Sequence, residues 1–192
     1  MFSLAQIQSY YPNFSADKAE DCLREYLQYK MLKSIFTSSR GKHLRFVGGT
    51  ALRIVYGNAR FSEDLNFDND GEMFFEDFTA LSLAIQKDLE AEGLEVRVKT
   101  INKGAFHCYV SIPSLLYENH LAPMKTQTIL IQIDTHAQGY SYEPTPYFLS
   151  KFDVQTNILT VSPQLLLAQK LYTCFTRNRI KGRDFFDIVF LL

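Results

Sequence analysis

The chain has 192 residues, 46% of them hydrophobic, enough to bury a real core in one domain with an appendage. Its 20 Lys and Arg nearly cancel its 21 Asp and Glu, so no overall field argues for a nucleic-acid or membrane partner, and such a partner must be read from local patches. Cys22, Cys108 and Cys174 are odd in number and lack CxxC or Cys/His ligand spacing, which excludes a disulfide framework and predicts buried thiols in a reduced compartment.

Neither a basic start followed by an apolar block nor an apolar run near the roughly 20 residues that span a bilayer is present, so the expected location is the cytoplasm, away from the membrane. From Ser15 to Ser38, Ala19, Cys22, Leu23, Tyr26, Leu27, Met31 and Ile35 recur at helical spacing and predict a long amphipathic helix with Ser15 as its cap. "HLRFV" (43–47) is a short strand ended by Gly48-Gly49. "TALRIVYG" (50–57) is a helix of about two turns, with Thr50 at its N-cap and Gly57 as its stop. "EDLNFD" alternates as a half-buried strand does. Phe74, Phe78, Leu81, Ile85 and Leu89 mark a second amphipathic helix, and residues 94–101 and 105–112 form two strands around the tight turn Asn102-Lys103-Gly104. "QTILIQIDTH" (127–136) is another strand.

Residues 137–161, with Gly139, Pro144 and Pro146, read as a connecting loop holding a short strand near Phe148 or Ile158, and supply the best boundary. Ser162 then caps a helix with Pro163 at its first position. On that helix Leu165, Ala168, Leu171, Tyr172 and Phe175 make an apolar face, with Lys170, Thr173 and Arg177 on the other. The last helix, "GRDFFDIVFLL", ends with apolar residues still to be covered, which suggests a chain cut short or a further helical part.

Two adjacent glycines between a strand and a helix let a ligand approach the backbone, while the helix start offers unpaired N–H groups and the positive end of a dipole. That suits phosphate. Residues i, i+2 and i+4 of a strand share a face, so Asp64, Asn66 and Asp68 point together, with neighbours roughly 6.5–7 Å apart. Carboxylates so placed beside a phosphate cradle can share divalent metals that bridge nucleotide phosphates. Asp134, at the end of an apolar strand, is a third carboxylate candidate or else a solvated strand end. Asp64 reads either as a metal ligand or as an exposed residue paired with Arg60. Asp68 can equally open the turn Asp68-Asn69-Asp70-Gly71. Arg177, Arg179, Lys181 and Arg183 make a basic turn that suits phosphates or solvent alike. Arg183 and Asp187 are spaced for a helical ion pair, and Asp184 is placed to favour a helix start. The four histidines show no ligand spacing, though His136 could line the site of Asp134.

Gly48-Gly49-Thr50, the helix-length gap and "FSEDLNFD" resemble the signature of the nucleotidyltransferase superfamily, specifically its AbiEii-type toxins. "LLLAQKLYTCFTRNRIKGRDFFDIVFLL" is similar to that family's C-terminal motifs, so the likeness runs from about Phe46 to Leu192. It implies an α+β fold: a nucleotidyltransferase-like mixed sheet flanked by helices over residues 1–155, with a C-terminal helical segment over 156–192. Carried over by residue, it implies that Gly48, Gly49 and Thr50 hold a triphosphate together with Arg183. Asp64, Asn66 and Asp134 would bind metal, and Asp64, Lys170, Asp184 and Asp187 would carry catalysis. The departure is Asn66, where the superfamily usually has Asp: an amide oxygen can ligate a metal but brings no charge. The implied cofactor is Mg2+, the substrate a nucleoside triphosphate (NTP), the acceptor possibilities include tRNA, and the setting is a toxin–antitoxin or phage-defence system with a separate antitoxin protein. A nucleotide-binding protein without catalysis and a small-molecule nucleotidyltransferase of the antibiotic-modifying kind stand as alternatives.

Overall fold

A computed structural model describes residues 1–13, 16–177 and 181–192. Among the described residues seven strands form one mixed sheet: β1 Leu44–Val47, β2 Leu65–Asn69, β3 Arg97–Asn102, β4 Phe106–Pro113, β5 Thr128–Ala137, β6 Thr145–Lys151 and β7 Val154–Thr160. Their spatial order is β3-β4-β5-β2-β1-β7-β6, with β2–β5 and β1–β7 parallel and the other neighbours antiparallel. The helices are α1 Leu4–Gln8, α2 Ala19–Thr37, α3 Gly48–Tyr56, α4 Phe75–Ala91, α5 Leu115–Glu118, α6 Pro163–Thr176 and α7 Gly182–Leu191. The expected α+β architecture is present.

The period of two decides which way each strand faces. Leu44 and Phe46, Leu65 and Phe67, Cys108, Val110 and Ile112, and Ile129, Ile131 and Ile133 are buried in the main core, which also holds the inner residues of α2 and α4. The residues between them point to the opposite face: Arg45 and Val47, Asn66 and Asp68, Asp134 and His136. A smaller core of Val47, Leu52, Val161 and Leu166 seats α3 and α6 on that second face. Burial pushes the Cys22 and Cys108 thiols up to about 11, as expected of inert buried cysteines, whereas Cys174 is only half-buried.

Four expectations need correction. The helix expected to be amphipathic, α2, is enclosed on most sides, because its polar residues find partners inside. Glu25 meets Arg53 Nε at 2.7 Å, Lys151 Nζ at 2.8 Å and Tyr11 Oη at 2.8 Å, and the Gln28 amide donates to the Ser62 and Glu63 carbonyls. Lys30 pairs with Glu92 and Asp153. The cap assigned to Ser15 lies outside the described residues. Second, the stretch 137–161 is not mainly loop: it holds the β6–β7 hairpin, and the expected boundary at 155/156 falls inside β7. Pro146 is tolerated because β6 is the sheet's edge.

Third, α3 starts at Gly48, not Thr50, and Val47 occupies the cap position without a side-chain bond. Gly57, at φ +79°, does end it. Fourth, α6 turns only Leu166 fully into a core, and α7 leaves apolar residues uncovered as its sequence led one to expect. The apolar side of α6 carries Leu171, Tyr172 and Phe175 in the open, the last 86% exposed. On α7, Phe185, Phe186 and Val189 are exposed, while Asp184 and Asp187 are buried.

Candidate active site

The second face of the sheet and the facing side of α6, which mixes Leu166 and Tyr172 with Gln169 and Lys170, border a cleft of about 1050 Å³. Its floor is Asp64, Asn66 and Asp68 with Asp134 and His136, its near end is Gly48 and Gly49 with Arg60 and Ser62, and its roof is Gln169, Lys170, Tyr172 and Arg177, with Arg183 and Asp184 beside it. The structure thus gathers Gly48, Gly49, Asp64, Asn66, Asp134, Lys170, Arg183 and Asp184 of the expected site residues.

The glycine turn is tight for a reason that can be named. Gly48 has φ +81°, and a Cβ there would lie 3.2 Å from Cβ and Nδ2 of Asn66. A Cβ on Gly49 would lie 2.6 Å from Arg60 Nη2 and 3.0 Å from Ser62 Oγ. The two glycines therefore admit Asn66 and the Arg60 guanidinium against the first turn of α3, where the helix dipole already favours an anion.

Two expected residues do not face the cleft. Thr50 is fully buried, and its hydroxyl donates to the Asp64 carbonyl, so it ties the start of α3 to the start of the acidic strand rather than offering its side chain to a phosphate. Asp187 is also fully buried. It accepts two bonds of 2.9 Å from Arg60 Nη2, one of 2.7 Å from Lys170 Nζ and one of 3.2 Å from the Asn58 amide. Arg60 is thereby committed to Asp187, not to Asp64, and Asp187 does not pair with Arg183. What Asp187 does is hold two cations, Arg60 and Lys170, on the wall of the cleft.

Asp184 accepts from the Lys181 backbone N–H at 3.1 Å, as an acid at a helix start does, and from Arg177 Nη1 at 3.2 Å, while it also borders the cleft. Arg183 is exposed on the rim and enters no ion pair among the described residues, and its charge pulls the Asp64 pKa down. Arg179 lies outside the described residues.

The acidic floor is unbalanced. Burial raises the Asp64 pKa above its ordinary 3.8, and the carboxylates of Glu63 and Asp134 push the same way against a Gln132 backbone bond and Arg183. Asn66 sits opposite Asp134 in the β2–β5 register. The Asp134 carboxylate is oriented by His107 Nδ1 at 2.8 Å and by the Gln132 amide at 2.8 Å. Among the described residues no three His, Cys, Asp or Glu side chains form a ready metal cage. The donor set fits Mg2+ all the same, since that ion is ordinarily held by one or two carboxylates, waters and substrate phosphates. Asp64 and Asp134 would hold it, with the Asn66 amide beside them.

Asp68 is not spare for that role: its buried carboxylate already accepts from Tyr142, Gln169 and Gln138. It lies on β2, and the turn after it is built by Asn69 and Asp70, whose side chains accept from Gly71 and Glu72. Sequence reasoning missed Arg60 as a cleft residue and His107 as the partner of Asp134. The register places His107 directly opposite Asp134, so deriving the β4–β5 pairing would have found it.

Fold and cleft together define a nucleotidyltransferase-like α+β protein. The chain belongs to the AbiEii family, described as nucleotidyl transferase AbiEii toxin of type IV toxin–antitoxin systems, whose profile matches residues 30–192. Among solved structures it is similar to JHP933 from Helicobacter pylori, with a TM-score of 0.62 and 19% identity over 90% of this chain and 66% of that one. It is similar also to MenT4, the nucleotidyltransferase toxin Rv2826c from Mycobacterium tuberculosis H37Rv, at a TM-score of 0.67 and 17% identity, covering 97% of this chain and 63% of that one. At these identities the likeness is one of fold, and the chain spans about two thirds of the length of these relatives. No curated protein matches it. Among the described residues no helix is long and apolar enough to cross a membrane.

Proposed function

We propose that the chain transfers a nucleotide from an NTP to an acceptor hydroxyl, as the toxin of a toxin–antitoxin or phage-defence pair acting in the cytoplasm. The observation that carries this reading is the meeting, in one cleft, of an uncapped helix start at Gly48-Gly49, an acid-rich floor at Asp64 and Asp134, and cations at Arg60, Lys170 and Arg183. Anionic phosphates would lie along the helix start and the cation wall. The acceptor oxygen bonds to the α-phosphorus, the bond from that phosphorus to the bridging oxygen breaks, and pyrophosphate leaves as the hydroxyl proton passes to solvent. Arg60 and Lys170, fixed by Asp187, are oriented before substrate arrives, which is how charge developing on a phosphate is stabilised without reorganisation. Bound Mg2+ would supply Lewis acidity and activate the hydroxyl. The rim charge of Arg183 favours a polyanionic acceptor, with tRNA the candidate, and an antitoxin protein is the expected partner.

Incubating the protein with each α-labelled NTP and total RNA tests this: labelled RNA is expected, and equal labelling by Asp64→Ala would sink the mechanism. A second reading, nucleotide binding without transfer, is favoured by the uncharged Asn66 and would show NTP affinity with no pyrophosphate release.

A further inference from the structure

Beyond Asn66 the cleft changes character. Asp68 shares a face of β2 with Asp64 and Asn66, but its carboxylate accepts from Tyr142 Oη at 2.7 Å, Gln169 Nε2 at 2.7 Å and Gln138 Nε2 at 2.8 Å. Gln138 and Tyr142 lie in the segment between β5 and β6, and Gln169 belongs to α6, so one buried acid pins that segment to the roof. Gln169 Nε2 also reaches Tyr140 Oη at 3.3 Å, and the Tyr140 ring lies 5.7 Å from that of Tyr142. Burial and then Asp68 push the Tyr142 pKa up, which keeps that phenol a donor.

Tyr140 is thus fixed at its hydroxyl and flank, yet 46% exposed on the cleft. Tyr172, three residues after Gln169 and on the same side of α6, lines the cleft at 70% exposed. Gly48 packs against Asn66, and Asp68 lies two strand steps beyond it, roughly 7 Å, so the rings held around Asp68 sit past the glycine turn along the cleft. Open aromatic faces at the end of a phosphate cleft match a flat, sequence-tolerant π partner.

We propose that Tyr140 and Tyr172 form the nucleobase subsite of this cleft, and that Asp68 is the positioning residue that holds it. This rests on the nucleotide reading above and deepens it. The test is equilibrium binding, in Mg2+, of each of the four NTPs and of inorganic tripolyphosphate, which has no base, to the full chain and its variants. Wild type should bind both kinds of ligand. Tyr140→Ala and Tyr172→Ala should each weaken NTP binding about tenfold, within the range of a lost base stack, and leave tripolyphosphate affinity unchanged. Tyr140→Phe, which keeps the ring and gives up only the Gln169 contact, should weaken NTP binding less than Tyr140→Ala, and Asp68→Asn should lower it without touching tripolyphosphate. Unchanged NTP affinity in both alanine variants would overturn the subsite. Equal loss of both ligands in Asp68→Asn would overturn the positioning role. Failure of wild type to bind either ligand would instead refute the phosphate reading on which the subsite rests.

Discussion

Glu25 and Asp64 are acids that the fold draws out of water, and it treats them in opposite ways. Burial alone would raise the Glu25 pKa, but Lys151 and Arg53 outweigh it and hold the group below its ordinary 4.5. At Asp64 burial leads, the carboxylates of Glu63 and Asp134 add to it, and the group is held above 3.8. An acid ringed by cations is a finished contact between α2, α3 and the β6–β7 hairpin. An acid beside acids is costly until something positive arrives, which is the usual mark of a working site. The lesson is to sort buried charge by the sign of its surroundings, not by depth.

The sharpest way to break this comparison is to remove each acid. Asp64→Ala should reduce nucleotide transfer about 10³-fold or more while leaving the thermal midpoint unchanged or higher. A clear drop in that midpoint would mean that Asp64 is structural. Glu25→Gln removes the buried carboxylate that half-buried Arg53 and Lys151 share, so urea unfolding should show a loss of about 2–3 kcal/mol, with transfer per folded molecule unchanged.

The pH profiles should part as well. Glu25, depressed in the fold, contributes stability fully above pH 4.5 and loses it as pH falls through its folded value. Thermal midpoints of wild type and Glu25→Gln should therefore differ steadily above pH 4.5 and converge below it. Asp64, raised in the fold, imposes its cost as pH rises above 3.8, so Asp64→Asn should be the more stable protein at neutral pH and lose that lead in acid. A smaller effect is expected from Asn66→Asp. It adds a third charge beside the start of α3 and should tighten the Mg2+ dependence of transfer on the order of tenfold. An unchanged Mg2+ titration would show that Asp134 already suffices.

Local chemistry was legible in the sequence and long-range pairing was not. The short helix after the first strand, the acidic strand and the Ser162-Pro163 helix start depend on neighbours within a few residues, and each is present, with α3 starting two residues early and β2 beginning at Leu65. The β6–β7 hairpin escaped because Pro144 and Pro146 read as loop, and because its turn uses Phe152 at φ +58° in place of a glycine. Within the site, the side chains that share the floor could be read from strand period alone. The partners of Asp187 and Asp68 could not, since Arg60 and Tyr142 reach them across 127 and 74 residues. The polar residues of α2 looked like a solvated side for the same reason: Lys151 is 126 residues from Glu25.

The reversed orientation of α7, with its acids buried and its aromatics in the open, turns the ordinary map of mutational tolerance over. In most helices a phenylalanine is the residue that resists change and an aspartate the one that accepts it. Here Phe175→Ser or Val189→Lys should shift the unfolding free energy by no more than about 0.5 kcal/mol, whereas even a conservative exchange at Asp187 should be felt at once. A deep substitution scan of α7 would therefore show its strongest constraint at Asp184 and Asp187 and its widest freedom at Phe185, Phe186 and Val189.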